Sequence, residues 1–382
     1  MVAAPAAALD LARPEGAVRV AQFNAQLMRE GAGLLIEDLR GDDAQIANTV
    51  EIVLRVRPDI LLVNELDADP DGRALALFAE RLAAGTAGLP GLAFPHRYQG
   101  PQNVGVFSGR DLDGDGVAAG PRDAWGFGRF PGQYAMAVLS RFPIERDAIR
   151  RHAGFRWADM PEARRPVHPD GAPFHPDAVW EVLRLSSKSH WDVPIELPDG
   201  RTLHLLAAHP TPPVFDGPED LNGRRNADEL RLLRAMIDGP DWLRDDAGRP
   251  AGIPEGTPFV VAGDLNADPA DGDGIREAIR TLLAHPRLQD PAPTSPGAAA
   301  AGARPGNRGL AGDPARHTSD WSAAQEDHAN LRVDYVLPSA GLEVAGKGVF
   351  WPAPGAPLHA LVAHRGGRFA SSDHRLVWVD LR

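Results

Sequence analysis

The 382-residue sequence contains no cysteine. This absence excludes disulfide bonds, cysteine nucleophiles and thiolate metal sites. Any metal ion must therefore be held by carboxylate, imidazole or amide groups, which favours a hard ion such as Mg²⁺, Mn²⁺ or Ca²⁺. The sequence also lacks any apolar run near the roughly 20 residues that a membrane-spanning helix requires, so we expect no membrane span.

Positive charge is scarce, because 40 Lys and Arg residues face 52 Asp and Glu residues and leave a net charge of −12. This balance argues against tight, sequence-independent clamping of nucleic acid, although it does not exclude a local positive pocket. No basic run interleaved with aromatic residues is present either, which disfavours a processive nuclease. The HExxH motif and comparable histidine clusters are missing, which disfavours a zinc hydrolase.

The first 16 residues are small and proline-rich, without the basic start and apolar stretch of a signal peptide. Two interpretations stay open. The slightly favoured one is a secreted or periplasmic protein whose signal peptide is absent from this sequence. The other is a cytoplasmic protein with a short flexible lead.

The sequence has ample material for a core, since 43% of its residues are hydrophobic. Its 40 Gly and 36 Pro residues indicate many turns and long loops. We predict one domain over residues 17–382, with insertions near 85–132 and 291–330. The second insertion contains SPGAAAAGARPGNRGLAGDPA, which we expect to be too poor in large apolar side chains to bury anything.

Short β-rich runs alternate with helical patterns, which predicts a mixed α/β architecture. Apolar spacing predicts helices within 42–58, over 224–237, and after the FVVAG run, where Ile275, Ile279 and Leu282 share one stripe. The predicted strands cover residues 18–23, 59–63, 134–140, 202–208, 259–263, 333–337 and 375–381.

Polar side chains stand at the ends of these predicted strands. They are Asn24, Glu65, His209, Asp264, Asn266, Asp334, Asp373 and His374. Because ligands bind at strand ends in open α/β sheets, we expect these side chains to line one crevice. Turn formation explains any one of them, but it is a poor explanation for the whole set.

The set has the composition that metal-assisted phosphoryl chemistry requires. The carboxylate of Glu65 can hold Mg²⁺ or Mn²⁺. Asp264 and Asn266, two residues apart on an extended segment, share a side, so that a carboxylate can take a proton from water while an amide donates to a phosphate oxygen. The carboxylates of Asp373 and Asp334 can fix the tautomer of His374.

In order and context these residues resemble the endonuclease/exonuclease/phosphatase superfamily. The similar segments are FNAQ, DILLVNELD, QYAMAVLSRFPI, LAAHPTPP, VAGDLNADP, RVDYVLPS and SSDHRLV, which span about residue 17 to 382. The combination of GDLN, RxDYV and SDH in that order is specific, whereas each motif alone is weak. Asn64 departs from the pattern, because many relatives carry Gln before the glutamate.

The resemblance implies a four-layered α/β sandwich, in which two mixed sheets pack face to face with helices outside. It implies a metal-dependent hydrolase of phosphate esters, mono- or diesters, that acts by direct attack of water. Glu65 is then the principal metal ligand, Asn24 supports the metal and the scissile phosphate, and Asp373 is a candidate ligand of a second metal. The implied catalytic residues are Asp264, which orients or deprotonates water, Asn266, Asp334, His374 and, less securely, His209.

The substrate class stays open between a small phosphate ester, slightly preferred because of the negative charge, and DNA or RNA cleaved by an extracellular-type nuclease. A non-catalytic binding module on the same fold is the remote alternative. Lys188 and His190, two apart on a predicted strand, can bind a second anionic group of the substrate. An exposed edge strand protected by its lysine explains them equally well.

A second metal site is predicted in the segment GRDLDGDGVAAGPRD. Asp111, Asp113 and Asp115 alternate and are followed by a glycine, like the opening of a calcium-binding loop. The twelfth position of such a loop is Arg122, a cation, so Asp123 is the candidate fourth ligand. We predict a structural calcium site, with an acidic surface turn as the alternative.

Overall fold

A computed structural model of the chain describes residues 9–321, 329–365 and 368–382. Half of the predicted N-terminal lead and part of the second insertion lie outside these residues. The strands are β1 (Val18–Leu27), β2 (Ile60–Leu66), β3 (His96–Tyr98), β4 (Ala137–Ser140), β5 (Arg150–Arg151), β6 (His190–Glu196), β7 (Thr202–Ala208), β8 (Phe259–Asp264), β9 (Asp334–Pro338), β10 (Val344–Val349), β11 (His364–Arg365), β12 (Arg368–Phe369) and β13 (Val377–Leu381). The helices are α1 (Leu34–Arg40), α2 (Ala44–Val56), α3 (Arg73–Ala84), α4 (Asp177–Trp180), α5 (Leu221–Asp238), α6 (Arg276–Leu283) and α7 (Pro296–Ala301).

Two mixed sheets form the centre of the structure, beside a short β11–β12 hairpin. The first sheet has the order β10-β13-β1-β2-β4-β3, and the second has the order β5-β6-β7-β8-β9. In each sheet one central pair is parallel, β1 with β2 and β7 with β8, while the other neighbours are antiparallel. Because parallel strands share an orientation, the carboxyl ends of each central pair lie at the same edge.

Alternating side chains of the second sheet pack into two different apolar layers. Leu205 and Val260 belong to the layer that also contains residues of the first sheet, whereas Leu206 and Val261 pack with α5 and α6 on the other side. This period of two is what a strand buried on both faces produces. Helices α1, α2 and α3 cover the outer face of the first sheet. The predicted α/β sandwich is therefore confirmed.

The three predicted helices are present as α2, α5 and α6. Helix α2 begins at a capping aspartate, because the Asp43 side chain accepts the backbone N–H of Ile46 at 2.8 Å. Helix α3 was not predicted from the sequence, whereas the strand predicted around His190 is present as β6. No helix in the described ranges is both long and apolar enough to cross a membrane.

The prediction that the SPGAAAAGARPGNRGLAGDPA segment buries nothing is wrong. Its first residues form helix α7, capped by the Ser295 side chain, and Ala298 is fully buried. The helix approaches Trp351 so closely that a Cβ on Gly297 would stand 2.2 Å from the indole Cδ1. Small residues thus contribute to the core by allowing close contact rather than by their own apolar area. The single-domain division itself stays a prediction.

Candidate active site

The predicted residues at the strand ends converge on one site between the two sheets. The Asn24 side chain, on β1, donates a hydrogen bond to the carboxylate of Asp264 at the end of β8, over 3.0 Å. This bond joins the two sheets directly. Asn24, His209, Asp264, Asp334 and His374 are buried, whereas Glu65, Asn266 and Asp373 are partly exposed. The last three therefore offer polar atoms to a ligand that arrives from solvent.

The carboxylate of Asp264 is the centre of the polar contacts. Its Oδ1 accepts the backbone N–H of Asn266 at 3.0 Å, and its Oδ2 lies 3.4 Å from Nε2 of His209 and 3.7 Å from Nε2 of His374. Burial alone would raise the pKa of Asp264, but His374, His209 and Asn24 together hold it below its ordinary value. Asp264 is therefore ionised at neutral pH despite its burial.

His374 is oriented by a second carboxylate. Its Nδ1 lies 2.9 Å from Oδ2 of Asp334, which leaves Nε2 toward Asp264. Burial lowers the pKa of His374, but the charges of Asp334 and Asp264 outweigh it and raise the pKa well above the ordinary value. His374 therefore carries a proton at neutral pH. The predicted orienting contact is present, and its catalytic role stays a prediction.

Glu65 and Asp373 are partly exposed, whereas Asp264 is buried and lies close to two imidazoles. Burial raises the pKa of both groups, and the charge of Asp373 raises the pKa of Glu65 further. Partly exposed oxygen ligands suit a hard divalent cation. The donor set thus fits a divalent metal ion, and its identity as Mg²⁺ or Mn²⁺ stays a prediction.

A tighter group of ligand atoms also exists, since Asp264, Asp334 and His374 each offer one atom within 4.8 Å of the others. The protonated imidazole already pairs with both carboxylates of this group. The predicted position of the ion beside Glu65, Asn24 and Asp373 stays a prediction.

Several residues around the site adopt left-handed backbone angles that non-glycine residues rarely have. The φ angles are 51° at Gln26, 58° at Glu65, 61° at Tyr134 and 51° at Asn266. Such conformations cost free energy and persist only where the surroundings impose them, which is common at functional sites. Residue type alone does not predict these left-handed conformations.

His209 has a less complete environment. Its Nε2 faces Asp264, but its buried Nδ1 has no hydrogen-bond partner among the residues the structure describes. Burial lowers the pKa of His209, and nearby Lys188 lowers it further. The ring is therefore neutral at neutral pH.

Lys188 and His190 do not share a strand face, because β6 begins at His190. Both residues are buried, so the alternative of an exposed edge strand is wrong. The ring nitrogens of His190 contact the Ser186 hydroxyl at 2.8 Å and the Glu229 carbonyl at 3.1 Å. Burial lowers the pKa of His190 to about 3. The prediction that His190 binds substrate is therefore not supported, because neither nitrogen is available to a ligand.

Lys188 lies in the site itself. Burial lowers the pKa of its amine below the ordinary value, and the charges of Glu229, Glu65 and Asp264 offset this only in part. The first insertion holds this segment in place, because the Asn103 backbone N–H donates to the Lys188 carbonyl at 2.8 Å. Its interaction with Glu65 and Asp264 keeps Lys188 a candidate for binding a phosphate oxygen of the substrate.

Asp67 was missed by the sequence analysis. Its two carboxylate oxygens accept the backbone N–H groups of Tyr134, at 3.0 Å, and Arg29, at 2.8 Å. Burial raises the pKa of Asp67 to about 7. It stands two residues after Glu65, so the i, i+2 argument used for Asp264 and Asn266 would have found it.

The predicted calcium loop brings three carboxylates together. Asp111, Asp113 and Asp115 offer ligand atoms within 4.8 Å of one another. The same carboxylates accept backbone N–H groups within the loop, as in an ordinary turn. Asp123, the candidate fourth ligand, is outside this group and instead accepts the Leu112 N–H at 2.7 Å. The calcium site therefore stays a prediction, without Asp123.

If calcium binds this loop, Ca²⁺ will raise the melting temperature of the wild type and protect the chain near residue 115 from proteolysis, because the ion relieves repulsion among three carboxylates. Asp113→Ala removes one ligand and should lose both effects. Differential scanning calorimetry and limited proteolysis with and without chelator measure this. Equal stability and resistance of the two proteins under all conditions would leave the acidic turn as the explanation.

Known proteins resemble this chain in sequence family and in fold. The Endonuclease/Exonuclease/phosphatase family matches residues 21–374. No curated protein matches the chain in sequence. Among solved structures, an endonuclease/exonuclease/phosphatase from Beutenbergia cavernae DSM 12333 is similar in fold, with a TM-score of 0.51 and 19% identity over 96% of this chain and 71% of that one.

Two further structures are less similar. Sphingomyelinase C from Streptomyces griseocarneus has a TM-score of 0.48 and 17% identity over 95% of this chain and 99% of its own. The human Nocturnin catalytic domain with bound sulfate has a TM-score of 0.47 and 15% identity over 96% and 93%. The family match over nearly the whole chain, together with the convergence of its motif residues, shows that the chain belongs to the endonuclease/exonuclease/phosphatase family.

Proposed function

We propose that the protein is a metal-dependent hydrolase of phosphate esters that acts by direct attack of water. The observation that carries this proposal is the pair of unlike carboxylates in one site. Asp264 is held ionised by histidines and an amide, whereas Glu65 is partly exposed and burial raises its pKa. Two acids in different environments suit two different tasks.

Glu65, with Asn24 and Asp373, would hold the divalent ion. When bound, such an ion supplies positive charge that polarises the phosphoryl group and stabilises developing negative charge. Asn24 also donates to Asp264, so the metal-holding and water-orienting groups are linked through one amide. This link supports a cooperative site rather than two separate ones.

Asp264 would orient the attacking water and accept its proton, since it is the ionised carboxylate at the centre of the site. The protonated His374 would donate to a phosphate oxygen through Nε2, with its ring held by Asp334. Asn266 would stabilise the developing charge through its amide, which now donates to the Pro210 carbonyl at 3.1 Å. Lys188 would add a further positive charge.

A small phosphate ester is the preferred substrate class, because the chain carries a net charge of −12 and the cations at the site are few and local. An extracellular-type nuclease that acts distributively is the second candidate. It needs only a single phosphodiester at the same carboxylates and Lys188. A non-catalytic binding module is disfavoured, because binding alone gives no reason to hold Asp264 ionised beside a protonated His374.

The test supplies Mg²⁺, Mn²⁺ or Ca²⁺ separately to metal-stripped protein with a panel of phosphomonoesters, phosphodiesters, single-stranded and double-stranded DNA, and RNA. We expect release of phosphate or of a cleaved product with Mg²⁺ or Mn²⁺, and faster turnover of small esters than of polymers. Turnover without a divalent ion would contradict the metal requirement. Faster turnover of nucleic acids would favour the second candidate.

A further inference from the structure

Tyr134 lies beside the proposed metal-holding residue, at the point where the first insertion returns to β4. The Leu66 backbone N–H donates to the Ala135 carbonyl at 2.9 Å, and the Ala68 N–H donates to the Gly132 carbonyl at 2.9 Å. These bonds continue the β2–β4 contact past the end of both strands. Tyr134 is therefore adjacent to the carboxyl end of β2, where Glu65 stands.

The backbone of Tyr134 is held in an unusual conformation. Its φ angle is 61°, in the left-handed region that a bulky residue rarely adopts. The carboxylate of Asp67 accepts its backbone N–H at 3.0 Å and holds the Arg29 N–H with its other oxygen. Asp67 thus connects the backbone at Arg29 to the backbone at Tyr134 and holds Tyr134 in place.

The hydroxyl of Tyr134 is available to a ligand. The ring lies 6.2 Å from that of Phe127 and is partly exposed. Its oxygen makes no hydrogen bond with any residue the structure describes, and it is not sealed from solvent. Burial, together with Glu65 and Asp67, raises the pKa of Tyr134, so the hydroxyl keeps its proton at neutral pH.

The other two tyrosines are occupied or enclosed. The Tyr335 hydroxyl lies 2.7 Å from the Ala267 carbonyl, in the interior. Tyr98 is buried, and its ring centroid lies 4.9 Å from that of Trp191 in an edge-to-face arrangement. Among the three tyrosines, only Tyr134 has a hydroxyl that is both unbonded and open to solvent near Glu65.

We propose that Tyr134 is a specificity-determining residue, whose hydroxyl donates a hydrogen bond to a non-bridging oxygen of the phosphate group held beside Glu65. This inference rests on the proposed function. A carboxylate repels an anion, so a neutral O–H at that side of the site binds the phosphate without adding charge. Together with Lys188 and His374, the Tyr134 hydroxyl would then give the phosphate a third donor.

The test compares Tyr134→Phe with Tyr98→Phe. Each change removes one hydroxyl, and the first keeps the ring that contacts Phe127. Two measurements apply to each protein, kcat/KM on the best ester of the panel and the Kd of inorganic phosphate by calorimetry in the presence of Mn²⁺. We expect Tyr134→Phe to lower kcat/KM and to weaken phosphate binding by about 10- to 100-fold, the size of a lost hydrogen bond to a charged group. Its melting temperature should not fall, and Tyr98→Phe should change neither measurement.

Unchanged phosphate binding in Tyr134→Phe would overturn the proposal, whatever happens to turnover. Loss of phosphate binding in both variants would overturn it too, because the hydroxyl beside Glu65 would then have no particular role. If the wild type binds phosphate but hydrolyses no ester, the proposed function fails while the binding comparison still decides the role of Tyr134. If the wild type binds no phosphate with Mn²⁺, the proposal is overturned.

Discussion

Glu65→Gln should retain the fold and lose most of the activity. The change keeps the size of the side chain but replaces a carboxylate by a neutral amide, which cannot balance a divalent ion. We expect turnover below about a tenth of the wild-type value at saturating metal, since loss of one charged ligand costs at least this factor. Steady-state kinetics with Mg²⁺ and Mn²⁺ measure the loss.

The same variant also changes stability in a direction that separates metal binding from folding. Burial raises the pKa of Glu65, so its charge is unfavourable in the metal-free folded state. Metal-free Glu65→Gln should therefore melt at or above the temperature of the metal-free wild type, whereas a divalent ion should stabilise only the wild type.

Glu51→Gln makes the matched control. Glu51 lies on α2, where its carboxylate pairs with Arg55 at 2.6 Å on the surface. This variant should keep full activity. Wild-type-like turnover of Glu65→Gln at saturating metal, or equal stabilisation of both proteins by the ion, would contradict the assignment of Glu65.

Asp264→Asn should lower kcat by about a thousandfold and leave KM nearly unchanged, if this carboxylate takes the proton of the attacking water. The amide cannot accept that proton, and it also ends the charge interaction with His374. The pKa of the His374 ring should therefore fall, because Asp264 is one of the charges that raise it. Kinetics give the first result and NMR titration of the imidazole gives the second.

Asp245→Asn serves as the control for the same chemical change at another buried aspartate. Asp245 lies in the loop after α5, where it accepts the backbone N–H of Arg249 at 2.8 Å. Its substitution should affect stability but not turnover per folded molecule. An Asp264→Asn variant that loses affinity while keeping kcat would mean that Asp264 binds substrate rather than activating water.

The sequence predicted the positions of most site residues because an apolar strand has a recognisable end. The runs before Glu65 and Asp264 are buried on both sides, so the first polar side chains after them had to lie at a sheet edge. His190 shows the limit of this argument. The period of two placed it beside Lys188, but a strand that is buried throughout offers no free face, and its ring nitrogens are satisfied internally.

Local pattern by itself therefore determined the α/β class, the three helices with an apolar stripe and the polar strand ends, because each depends on neighbours a few residues apart. The tertiary structure decided everything that depends on contacts between distant segments. It brought Asn24 within 3.0 Å of Asp264, 240 residues away, and used Asp67 to hold Tyr134 in a left-handed conformation. It also buried α7 through a close contact with Trp351. Such contacts arise from the packing of the two sheets, and no periodicity within one segment records them.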